Sequence, residues 1–172
     1  MANPVFEAVR TVLAVREYDR REIPDEVLHR IVEAGRLSGS SKNLQPWHFV
    51  VVRERAALEE LGRLIRTGTY IADAAAAVVV AVEKASEFGV SDGSRAIQSM
   101  ILTAWGEGVG SNWTGFTGMR EVAAQVGLPD DYDVIGVIPF GYPRRAIGRG
   151  RKNRKAADQV ISSERFGTPY RS

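Results

Sequence analysis

The sequence predicts one globular domain in which helices and strands alternate along the chain. Apolar residues recur at helical spacing in five segments, which marks amphipathic helices. Three continuous runs of β-branched, aromatic or small apolar residues, at 47–52, 76–82 and 134–140, have the length and composition of core strands. The 172 residues, 44% hydrophobic and 26% charged, suffice for one core without disulfide or metal staples. No internal repeat or second domain is visible, so residues 1–172 read as a single unit whose last part, 143–172, is a basic extension.

Each element has a local cause. Asn3 stands where an N-cap is needed and Pro4 at the first helical position, so 3–13 reads as a short helix with Val5, Val9, Val12 and Leu13 apolar. Pro24 opens a second helix to Arg36 with the stripe Val27, Leu28, Ile31, Val32 and Ala34. His29 falls outside that stripe, four residues before Glu33, and is expected on the surface. SGSSKNLQP is loop chemistry and leads into WHFVVV, a buried strand in which His48 reads as a core or sheet-face residue. Residues 55–66 look helical, and the strand 76–82 is entered from an alanine-rich turn or short helix. Ser91–Glu107 carries the strongest helical pattern. Ser91 is its expected cap, Asp92 lies in its first turn, Ile97, Met100, Ile101, Ala104 and Trp105 form its inner face, and Gly108 closes it. GVGSNWTGF follows as a glycine-punctuated strand or loop, then a short helix at 119–127 and the last core strand. Beyond GYP at 141–143 the chain has too few apolar residues for a core of its own, so the tail is disordered or wraps another surface.

Composition excludes several chemistries. Cysteine is absent, which removes disulfides, thiolate nucleophiles, iron–sulfur clusters and cysteine zinc sites. With two histidines, a three-histidine metal centre is impossible, and redox or acyl chemistry is expected to be borrowed from a cofactor. The longest apolar run, Ala74–Val82, is nine residues, about half of what a membrane-spanning helix needs. The N-terminus lacks the apolar stretch of a secretory signal, so a cytoplasmic location is the expectation. The net charge of +2 hides an asymmetry. Seven basic and no acidic residues lie between Arg144 and Lys155, and the rest of the chain carries −5. That segment must meet an anion or lie in solvent.

Three places could carry chemistry. Ser40, Ser41, Asn43 and Gln45 offer donors and acceptors ahead of a strand, suiting a planar heterocycle with polar edges such as a flavin or nucleobase, or else forming an ordinary solvated turn. WTGF at 113–116 places Gly115 where backbone can approach a ring, or makes a simple β-turn. Arg151, Lys152 and Arg154 could hold a phosphate, or form a solvated tail with weak nucleic-acid contact. A Walker sequence, a dinucleotide fingerprint and a basic region interleaved with stacking aromatics are all missing.

The stretch AVREYDRREIPDEVLHRIVEAGRLSGSSKNLQPWHFVVV, Ala14–Val52, resembles the N-terminal signature of the nitroreductase family of flavoenzymes, with NLQPW its most specific part. The helix at 94–105, GVGSNWTGF, GYP at 141–143 and the Lys-x-Arg pair Lys152 and Arg154 extend the likeness over nearly the whole chain. The resemblance implies an α+β fold, a central mostly antiparallel sheet flanked by helices, and a homodimer with one FMN in each of two interface sites and C-terminal tails reaching across the partner. It implies an NAD(P)H-dependent oxidoreductase that passes hydride through FMN to an electron-poor acceptor such as a nitroaromatic or quinone. Within the same fold the alternatives are a flavin-linked dehydrogenase or dehalogenase and a user of another flavin-like cofactor; outside it, the basic tail allows a non-enzymatic module that contacts nucleic acid. By the same resemblance Arg16 lies near FMN, and Ser40, Ser41 and Asn43 contact flavin from the other subunit. Thr114 and Gly115 run against the reactive edge of the ring, while Lys152 and Arg154 bind phosphate. No side chain is assigned as catalytic and no metal is expected. The basic triplet usual before Arg16 is replaced by Val12, Leu13 and Ala14, with Arg10 the nearest substitute, and the proline usual in the serine loop is Gly39.

Overall fold

The computed structural model describes residues 3–115, 117–147 and 152–170. Five α-helices, α1 (Pro4–Thr11), α2 (Asp25–Arg36), α3 (Arg55–Leu64), α4 (Gly89–Gly106) and α5 (Met119–Gln125), surround four strands, β1 (Trp47–Val52), β2 (Ala76–Glu83), β3 (Gly110–Ser111) and β4 (Tyr132–Gly141). The strands form one sheet in the order β1-β2-β4-β3, and every neighbouring pair is antiparallel. The fold is α+β, as the resemblance implies.

The core has two layers because β2 is covered on both faces. Ala76, Val78 and Val80, with Ile138 and Phe140 of β4, pack under Val27, Leu28 and Ile31 of α2 and Ile97, Met100 and Ala104 of α4. The alternate residues Ala77 and Val79, with Val137, pack under Leu58 and Leu61 of α3 and Val122 of α5. That double burial explains why β2 reads as an unbroken apolar run rather than an alternating one. Each fully buried valine or leucine contributes roughly 1.5–3 kcal/mol over its exposed state. α2 and α4 approach closely at Gly35, where a Cβ would come within 3.0 Å of Met100 Cγ.

Several sequence expectations are refined. Asn3 does cap α1, its Oδ1 accepting from the amides of Val5 at 3.0 Å and Phe6 at 3.1 Å. α1 ends at Thr11 rather than residue 13 and buries none of its residues, since α4 is the helix it meets, through Trp105 Nε1 donating to Thr11 Oγ1 at 2.9 Å. The strand at 47–52, expected to be buried, is an edge strand with His48 and Val51 exposed, because among the described residues it pairs with β2 on one side and with no strand on the other. His48 lies edge-on to Tyr132, and His29 is exposed on α2. α4 starts two residues before the expected cap, so Ser91 lies inside it and its hydroxyl donates to the carbonyl of Phe88. Gly108 closes α4 at φ 74° as expected. The tail from 152 to 170 is mostly exposed, with one short 3-10 turn at Ala157–Gln159 and a Ser162–Pro169 bridge. Among the described residues no helix is long and apolar enough to cross a membrane.

Candidate active site

The C-terminal half of α4, through Gln98 and Ile101, and the strand after it build a recess beside the end of α1. Gly108 reverses the chain so that β3 runs next to residues 12–15, and a parallel bridge joins Ala14 to Ser111. The amide of Val15 donates to the carbonyl of Ser111 at 2.9 Å. This approach requires glycine at 110, where a Cβ would lie 2.4 Å from Val15 Cγ2. The resulting pocket, about 340 Å³, is walled by Leu13 and Ala14, by Gln98 of α4 and by Trp113, and is closed by Lys152 and Arg154.

Lys152 and Arg154 are the pocket's positive end. Lys152 Nζ donates to the carbonyl of Val9 in the last turn of α1, and Arg154 donates to the carbonyl of Asn153 at 3.0 Å. Among the described residues neither has an acidic partner. Partial burial, with repulsion from Arg154, holds the Lys152 ammonium below the usual lysine range. Their two charges give that end of the pocket a positive potential.

The polar wall is Asn112, buried, whose Nδ2 donates to the Tyr70 hydroxyl and, at 3.2 Å, to the carbonyl of Trp113. The Trp113 indole, 37% exposed, donates to the carbonyl of Ile135 at 3.4 Å. Ile135 is available because the β2–β4 register shifts between Val80 and Ala81 and leaves it out of the pairing. Gly136 makes room for the indole; a Cβ there would lie 2.5 Å from Trp113 Nε1.

The expected site residues fall into two groups. Lys152 and Arg154 line the pocket. Arg16 does not; it lines a neighbouring recess with Pro143 and Arg145, and Ala14 is shared by both. Thr114 is buried, its amide and carbonyl both engaged with Val137 at 3.1 and 2.7 Å. Gly115 lies against β4, where a Cβ would come within 2.9 Å of Gly136 Cα. Ser40, Ser41, Asn43 and Gln45 are elsewhere in the chain's own fold. They form a loop beside the first turn of α4, with Ser41 N–H donating to Asp92 Oδ2 at 3.0 Å. Arg10 does not line the pocket; its guanidinium is held by Glu7 on α1. Arg149, Arg151 and Phe116 lie outside the described residues.

Sequence reasoning missed Asn112, Tyr70 and Gln98. The first two are joined by a contact between residues 42 apart in the chain, and nothing in the local pattern announces it. Among the described residues no cluster of His, Asp and Glu could hold a metal ion.

Fold and site together define an α+β protein with a recess, positive at one end, between the C-terminal half of α4, β3 and residues 12–14. The chain belongs to the nitroreductase family, whose model matches residues 10–92 and 71–142. It is 34% identical over 152 residues to a protein of Methanothermobacter thermautotrophicus provisionally named NADH dehydrogenase/NAD(P)H nitroreductase, a match covering 84% of this chain and 80% of that one. A crystal structure of a protein with the same provisional name from Bacteroides thetaiotaomicron superposes with a TM-score of 0.89 at 27% identity, covering 96% of this chain and all of that one. A nitroreductase of Bacteroides fragilis, solved with FMN bound, superposes with a TM-score of 0.80 at 26% identity, covering 94% of this chain and 100% of that one.

Proposed function

We propose that this chain is an FMN-dependent oxidoreductase that takes hydride from NADH or NADPH and delivers it to an electron-poor acceptor such as a nitroaromatic or quinone. The observation that carries the reading is the Lys152 and Arg154 pair, with no acidic partner among the described residues, at a pocket of about 340 Å³. That volume lies at the lower end of the range for ligand pockets, roughly 300–1,000 Å³. The residues present fit the group. Lys152 and Arg154 would hold its phosphate, Arg16 would lie near the bound FMN, and Gly115 would offer backbone to the ring. Val12, Leu13 and Ala14 add apolar contact but no charge, so the phosphate falls to the C-terminal pair.

Bound FMN supplies the reversible hydride chemistry, which no side chain of this protein can perform. The protein's own residues bind, orient and exclude water. Ser40, Ser41, Asn43 and Gln45, remote from the pocket in one chain, would serve the site of the other subunit of a homodimer. The exposed tail, with Phe166 fully exposed, would cover the partner. The whole chain, 1–172, acts as one domain in the cytoplasm.

The test is an absorption scan from about 300 to 500 nm of protein mixed with FMN and passed through gel filtration, followed by anaerobic addition of NADH or NADPH. Retained flavin that bleaches, then recovers on adding a nitroaromatic or quinone, is the expected result. Protein that emerges colourless overturns the reading.

A further inference from the structure

We propose that Asp92 is a positioning residue, which holds the Ser40–Gln45 loop in the form that presents its polar groups to FMN. The inference rests on the function proposed above. Asp92 lies in the first turn of α4 and is 1% exposed. One carboxylate oxygen accepts from the amide of Ser41 at 3.0 Å, and the other accepts from the guanidinium of Arg95, whose side chain is 55% exposed.

The loop needs such a tie. Lys42, Asn43 and Gln45 have φ of 51°, 55° and 52°, so three of four consecutive non-glycine residues are left-handed. That conformation is uncommon outside glycine and persists where surroundings over-determine it. Its internal bonds, Asn43 N to Ser40 O at 3.1 Å, Leu44 N to Ser41 O at 3.0 Å and Gln45 N to Ser40 Oγ at 2.9 Å, set its shape but not its place. The ends are fixed separately. Ser38 Oγ donates to Ser99 Oγ of α4 at 2.7 Å, and the carbonyl of Pro46 accepts from Glu83 of β2 at 2.9 Å. Asp92 ties the middle.

A buried carboxylate is a costly way to fill space, and apolar side chains of similar size often serve stability as well or better. What a carboxylate adds is a directional, charge-assisted acceptor for one amide. The first-turn position on α4 favours the negative charge, and Arg95 balances it toward solvent.

The test measures FMN dissociation constants by flavin fluorescence, and amide hydrogen exchange of the 39–46 segment without flavin, in wild type and four variants. Asp92→Ala is expected to weaken FMN about 10-fold and to speed exchange in the segment. Asp92→Asn, which keeps an oxygen acceptor, is expected to recover most of both. Ser41→Pro removes the donor and leaves Asp92 intact, and the extended Ser40, at ψ 158°, suits a following proline. Ser41→Ala removes the hydroxyl alone, so an about 10-fold gap between the two Ser41 variants is the expected worth of the N–H. Folded Asp92→Ala with binding and exchange within twofold of wild type overturns the proposal. If Asp92→Ala does not fold, Ser41→Pro binding within twofold of Ser41→Ala does so. A wild-type protein that binds no FMN overturns the proposed function and with it the presentation to flavin; the exchange measurement then still reads whether Asp92 holds the loop.

Discussion

Replacing Lys152 and Arg154 together by alanine should separate phosphate binding from ring binding. A hydrogen bond to a charged group contributes about 1.5–3 kcal/mol when protected from solvent, and an exposed ion pair about 0.2–1 kcal/mol. Lys152 is half-buried against the end of α1 and Arg154 is exposed, so the pair is expected to contribute about 2–3 kcal/mol, or roughly 30- to 150-fold in affinity. The absence of basic residues at 12–14 leaves no charged group on that wall to share the load. The assay titrates FMN and riboflavin side by side by fluorescence quenching at two salt concentrations. FMN affinity should fall by that factor, its salt dependence should shrink, and riboflavin, which has no phosphate, should bind within about threefold of wild type. Equal losses for both ligands would mean that the pocket itself collapsed. Unchanged FMN binding would place the phosphate elsewhere, with the recess of Arg16 and Arg145 the next candidate.

Gly110→Ala forces a Cβ to 2.4 Å from Val15 Cγ2 and should destabilise by about 1–3 kcal/mol, lowering the melting temperature by about 2–4 °C for each of them. An unchanged melting temperature would refute the close packing of β3 on residue 15. Tyr18 is buried, and burial first, then Tyr70, pushes its phenol well above the usual range, against an opposing effect of Arg16. The neutral form is therefore the one the fold accepts. Its stabilising effect is complete below about pH 10 and is lost as pH rises above that value. Tyr18→Phe loses the bond to Val15 O at 2.7 Å, costing about 1 kcal/mol at neutral pH, and should lose less stability than wild type in urea unfolding above about pH 10; parallel alkaline limbs would contradict this. Asn3→Ala should cost about 1 kcal/mol through loss of the two capped amides, seen as faster exchange at Val5 and Phe6.

What could be read from the sequence was whatever neighbouring residues determine among themselves. Asn3 caps α1 because its side chain reaches amides two and three residues on, and Gly108 ends α4 because it tolerates a positive φ. The Lys152 and Arg154 pair belongs to a run of seven basic residues, Arg144–Lys155, with no acid inside it. WHFVVV and AAVVVAV have the same apolar character, yet β1 is a half-exposed edge and β2 is sealed on both faces, because strand order decides how many neighbours each meets. Asp92 shows the same division. As a first-turn carboxylate it favours the helix end, a local effect. Its bond to Ser41, 51 residues away, exists only after α2 and β1 carry that loop to the foot of α4. The sequence by itself determined the five helices and three long strands to within a few residues, and where the charge lies, since those follow from short-range hydrogen bonding and hydrophobic period; β3, inside a segment that reads equally as strand or loop, needed its partner β4. The tertiary structure alone decided that residues 12–14, residues 111–113, Lys152 and Arg154 surround one pocket that Ser40–Gln45 do not line, because such meetings depend on how the whole chain packs.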